Sequence, residues 1–91
     1  MISAKERADA LEASRLLQSE FLARILDELE NWYVEMWKKL DNPEYREKVW
    51  YQQNGLQIFR KSLNQKLTDA QMKTGGKDEE INAAVRAARR K

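Results

Sequence analysis

The chain has no cysteine, no histidine, one proline and three glycines among its 91 residues. Without cysteine there is no disulfide and no thiolate chemistry, and without histidine the commonest base and metal ligand near neutral pH is missing. Both absences point to a reduced compartment and away from catalysis, so neither an enzyme nor a cofactor site is expected. With Pro43 as the sole proline and so few glycines, there are too few turn residues for a set of β-hairpins. No window approaches the roughly 18 apolar residues that span a bilayer, and the opening MISAKERADALEAS is charged throughout rather than built like a secretion signal. A cytoplasmic protein without a membrane partner is the expectation. Strong charge of one sign is also lacking: seventeen basic and fifteen acidic residues leave +2, too near balance to mark the whole surface as a nucleic-acid binder.

What remains is 42% apolar and 35% charged, a composition suited to two-faced helices and hence to an all-α fold. The stretch Ser19–Leu40 organises the rest. Leu22, Ile25, Leu26, Leu29, Tyr33, Met36, Trp37 and Leu40 recur at helical spacing, and Trp32 widens the face on one edge. Asp27, Glu28, Glu30, Asn31, Glu35, Lys38 and Lys39 fill the far side. Such a face is too wide for one neighbouring helix to cover, and Trp32 and Trp37 are expected in a core.

Before this stretch, Ser3 and Glu6 have the form of a capping box. The helix they start carries two thin stripes, Ala4/Ala8/Leu11 and Ala10/Ala13/Leu17, and must lean on something. Ser19 with Glu20 behind it reads as a fresh cap, leaving open whether the chain kinks there or runs through. After it, Asp41-Asn42-Pro43 ends the central helix and starts the next, which is expected from Pro43 to about Lys73. Two long amphipathic helices joined this tightly imply an antiparallel hairpin, with the amino-terminal helix packed on it. The main apolar row of the long helix is Tyr45, Val49, Leu56, Phe59, Leu63, Leu67 and Ala70. Gly75-Gly76 then breaks the chain into a hairpin domain, residues 1–74, and a joint with a short carboxy-terminal helix, 75–91. Asp78, Glu79 and Glu80 open that helix and Arg86, Arg89, Arg90 and Lys91 close it, matching a helix dipole. Alanine-rich and short, it is expected to be semi-independent, ordering on a partner.

Two groups of residues stand out as candidate sites. Tyr51, Gly55, Ile58 and Ser62 line up on the long helix; small residues in such a stripe let another backbone come close, either the amino-terminal helix or a second copy or partner. Trp50, on a mostly polar face with Asn54, Gln57 and Lys61, joins this protein-interface set. The second group is cationic: Arg86, Arg89, Arg90 and Lys91 at the end, and Arg46 with Lys48 beside the aromatic pair Trp50–Tyr51, as candidate nucleic-acid or anion contacts. Glu28, Asn31 and Glu35 share a face but lack the histidine or loop that a metal site would use.

The pattern LLQSEFLARILDELENWYVEMWKKLDNPEYREKVW, continued by LQIFRKSLNQKL, resembles small helical proteins of tailed bacteriophages. Leu16, Leu17, Phe21, Leu22, Trp37, Pro43, Glu44, Arg46, Glu47, Trp50, Leu56 and Leu63 carry the likeness. It covers the middle two-thirds and departs at the doubled glycine and the basic tail. The resemblance implies a viral origin and a small accessory role, in particle assembly or in blocking a host system. The expectation drawn from all of this is a non-enzymatic, self-associating protein that binds a viral or host protein. A nucleic-acid adaptor using the carboxy-terminal helix is the first alternative. The second is an oligomer that holds a small anionic nucleotide between subunits with Arg46, Lys48, Trp50 and Tyr51.

Overall fold

A computed structural model describes residues 1–89, and these are all-helical, without a strand. The four helices are α1 (Ala4–Leu17), α2 (Glu20–Lys39), α3 (Pro43–Lys73) and α4 (Glu79–Ala88). Each start is fixed by a side-chain cap. Ser3 Oγ accepts from the Glu6 N–H at 3.1 Å, Ser19 Oγ from Leu22 at 3.1 Å, Asn42 Oδ1 from Glu44 at 2.9 Å and Asp78 Oδ1 from Ile81 at 3.2 Å. The chain therefore breaks at Ser19 rather than running through from α1 to α2. Pro43 occupies the first turn of α3, where its missing N–H costs nothing.

Helix α3 is the spine. Asp27 lies 2.9 Å from Arg60, Glu30 3.1 Å from Gln57, and Trp37 stacks under Arg46, so rising numbers on α2 meet falling numbers on α3. Further along, Glu6 of α1 pairs with Lys73, and Ala10 packs with Leu67 and Ala70. Helices α1 and α2 thus lie end to end along α3.

The core sits at one end of this spine. Ala10, Leu67, Ala70, Ile81 and Val85 form it, with Leu67 and Ile81 wholly shielded. Beside them Ser14 is buried and its hydroxyl donates to the Ala84 carbonyl at 2.7 Å. Two expectations are corrected here. Helix α4 is not a semi-independent tail, because Ile81 and Val85 supply part of the core and Arg7 ties Asp78 at 3.0 Å. The Gly-Gly segment is not a loose break in the chain but a tight, hydrogen-bonded turn. Gly75 (φ +61°) and Gly76 (φ +72°) close α3 by donating to Met72 and Gln71 at 3.1 Å each, the two bonds of a Schellman reversal. Asn82 Nδ2 then donates to the Gly76 carbonyl at 2.8 Å and pins the turn. Of the two α1 stripes, Ala10 and Ala13 are buried while Ala4 and Ala8 face solvent.

At the other end only α2 and α3 remain, and they project as a two-helix arm. The molecule measures 52 × 24 × 17 Å with a radius of gyration of 16.6 Å, against about 12 Å for a compact domain of this length.

Candidate interaction surface

No residue of α2 is buried, although α2 carries the strongest apolar pattern in the sequence. Trp32 is 55% exposed and Trp37 39%, which corrects the expectation that both are core. The reason is a shortage of helix: α1 and α4 are spent on the far end of α3, and α3 alone faces α2. The ion pairs of Arg60 with Asp27 (2.9 Å) and Glu30 (3.1 Å) hold one flank of the arm. Arg60 Nε reaches Glu30 without hydrogen-bond alignment. Leu22 and Leu26 line a hollow with Arg60 and Leu63, so part of the apolar face of α2 meets α3 and the remainder lies on the opposite flank. Ile25, Leu29, Trp32 and Met36 share that flank by helical spacing, as do Tyr45 and Phe59 of α3, both exposed. Trp32 and Tyr33 rings meet edge to face with centroids 5.0 Å apart.

The stripe Tyr51, Gly55, Ile58 and Ser62 is exposed throughout, on the back of α3. Helix α1 does not dock there; it lies against Leu67 and Ala70 instead, since α2 occupies the intervening length. A Cβ added at Gly55 would meet nothing within 4 Å, so no neighbour within the chain explains a mid-helix glycine. Trp50 is exposed and packs edge-on against Tyr51, centroids 5.2 Å apart.

The cations separate. Arg46 lies over the Trp37 ring, 3.8 Å from its centroid, as a cation–π contact. Its Nε is shielded and lacks a hydrogen-bond partner. Trp37, Pro43, Arg46, Glu47, Trp50 and Tyr51 line an open hollow around it, in which Glu47 accepts from the Tyr51 hydroxyl at 3.4 Å. Lys48 sits over Tyr45, 5.5 Å from the ring, so Arg46 and Lys48 do not converge. Arg86 is taken up by Glu79 at 2.7 Å and Arg89 donates to Thr68 at 2.9 Å; Arg90 and Lys91 lie outside the described residues. Among the described residues no group of acidic side chains is arranged to hold a metal, and no helix is long and apolar enough to cross a membrane.

The apolar flank of the arm was hidden in the sequence by a reasonable assumption, that the widest face would be the best buried. Tyr45 and Phe59 could have been assigned to it only by knowing the rotation of α2 on α3. No protein-family model, curated protein or solved structure matches the chain.

Proposed function

We propose that this chain is a non-enzymatic binding protein, an antiparallel α2–α3 hairpin held out from a small three-helix base and docking its apolar flank on protein surfaces. The observation that carries the reading is that α2 buries none of its twenty residues, while Leu29, Trp32, Tyr45 and Phe59 stand exposed along one side. Contiguous apolar surface of this kind marks interaction sites in proteins that persist in solution, and tryptophan and tyrosine are the residue types that concentrate binding energy. The area supports it as well. A compact monomer of 10.8 kDa exposes about 5,500 Å², and this chain exposes 6793 Å². The roughly 1,200 Å² excess is of the size one side of a specific interface uses. In the setting that its resemblance to phage proteins implies, the role is that of a viral accessory acting on a viral or host protein.

The test is affinity purification from the cells in which the protein acts, followed by mass measurement of the intact complex. A stoichiometric complex, with itself or another protein, that is lost on Trp32→Glu and retained on the distant Lys5→Glu is the expected result. A solitary chain whose α2 amides exchange as slowly as those of the α1/α3/α4 core would overturn the proposal.

A further inference from the structure

The spacing of the uncovered row on α2 says what covers it. Phe21, Ile25, Leu29, Trp32, Met36 and, at the cap, Leu40 follow each other at intervals of four, four, three, four and four. None of the six is buried. That series reads the same in both directions. About a midpoint between Glu30 and Asn31 it pairs Leu29 with Trp32, Ile25 with Met36, and Phe21 with Leu40. A two-fold interface has this property: where residue i of one copy touches j, j of that copy touches i of the other. We infer that the occupant is a second copy of this chain, packed antiparallel on α2 about a two-fold axis beside Leu29 and Trp32. The inference rests on the binding reading above and names the partner.

Charge on the rim agrees. Arg24 and Glu35 border the row on the same side of α2, and reversal of one helix sets Arg24 of one copy within two residues of Glu35 of the other, twice by symmetry. A parallel pairing, with its two-fold axis along the helices, would put Arg24 of one copy and Glu35 of the other on opposite sides of the seam and form neither pair. The sizes are compatible too, since a stable dimer needs about 800 Å² from each side and the whole elongated chain exposes about 1,200 Å² more than a compact monomer of its mass. Joining two arms makes a four-helix bundle, in which the wide face of α2 has neighbours on both flanks.

Because the chain has no cysteine, each introduced thiol is unique, and a short bismaleimide reports the geometry. Ile25 and Met36 are eleven positions apart, about 16 Å along the helix. In the proposed dimer Ile25→Cys and Met36→Cys each fail to cross-link alone and cross-link when refolded together. Sedimentation of the unmodified chain should give twice 10.8 kDa, and Leu29→Glu should weaken the dimer at least about 100-fold by burying two like charges, with helicity retained. Should Leu29→Glu lose helicity, the cysteine pair still decides. A monomer at all concentrations, cross-linking of either single cysteine with itself, or a dimer indifferent to Leu29→Glu overturns the inference. A monomer that nonetheless forms a Trp32-dependent complex with another protein removes the second copy and leaves the binding function standing.

Discussion

Gly55 offers the most direct measurement of whether the back of α3 serves a partner. It lies inside the 31-residue helix α3, away from either cap, and an added Cβ would meet nothing within 4 Å. Its φ is not positive, so alanine fits the backbone without strain. Glycine costs a helix interior about 1 kcal/mol relative to alanine, chiefly through the freedom it gives the unfolded chain. With no steric penalty to set against that gain, Gly55→Ala should stabilise the chain by about 1 kcal/mol, raising the melting temperature by roughly 4–8 °C for a domain of this size. Circular dichroism melts at several protein concentrations measure it, and the concentration dependence separates chain stability from association. A fall in melting temperature at every concentration would refute the reasoning, because it would mean that the site is filled within the chain. If the dilute chain gains stability while its complex loosens, a partner's backbone rests on Gly55 and the glycine is kept for contact rather than for folding.

Three further perturbations test the base. Ile81→Ala empties a fully shielded position and should cost about 2–5 kcal/mol, a large fraction of the stability a small domain has; urea titration showing less than about 1 kcal/mol would mean α4 is detached from the core. Gly75→Ala, unlike Gly55→Ala, meets a φ of +61° and should destabilise by about 1–2 kcal/mol, so a neutral result in the same melts would argue against the Schellman turn. Acid should act through four carboxyls held below their usual range: Asp78 by Arg7, Glu6 by Lys73, Glu79 by Arg86 and Glu12 by Arg15. Such groups bind fewer protons folded than unfolded, so their contribution is complete above about pH 5 and is lost as pH falls through the ordinary and then the depressed values. Asp78→Asn keeps an acceptor for the Ile81 amide but removes the charge, and should flatten the loss of melting temperature below pH 4; an unchanged acid profile would assign that loss elsewhere.

Apart from the break at Ser19, which the sequence left open, the helix boundaries were legible because their determinants are local. Ser3, Ser19, Asn42 and Asp78 each cap with their own side chain, and α3 runs from Pro43 to Lys73 as the proline and the paired glycines dictate. Which face each helix turns to its neighbours was not legible. The choice of Ala10 and Ala13 over Ala4 and Ala8 depends on the angle at which α1 leaves the Ser19 break. The inclusion of Ile81 and Val85 in the core depends on a reversal at Gly75 and Gly76 that spacing alone reads as a loose joint. For the candidate surface, the exposure of Tyr51, Ile58 and Trp50 agrees with their polar surroundings in sequence. The uncovering of Trp32 and Trp37 reflects a competition for covering helices that no local pattern records.

That competition can be put in lengths. At 1.5 Å per residue α3 extends about 46 Å, α1 and α2 together about 51 Å, and α4 only about 15 Å. One layer of helix therefore runs along the whole spine, but the second layer covers about a third of it. The chain spends that third on Leu67, Ala70, Ile81, Val85 and the alanine face of α1, none of them aromatic, and leaves the larger side chains of α2 half-buried or exposed. A sequence selected only to fold alone would reverse the assignment, placing tryptophan and phenylalanine where three helices meet and alanine where two do. The distribution makes sense when the base is just stable enough to hold the arm and the arm's large side chains gain their burial from a second molecule. On that account a variant with Ile25, Leu29, Trp32 and Met36 all replaced by glutamine keeps its α1/α3/α4 base and its dilute-solution melting temperature to within a few degrees. It loses only association, and unfolding of the base in that variant would show that the row serves the chain's own fold.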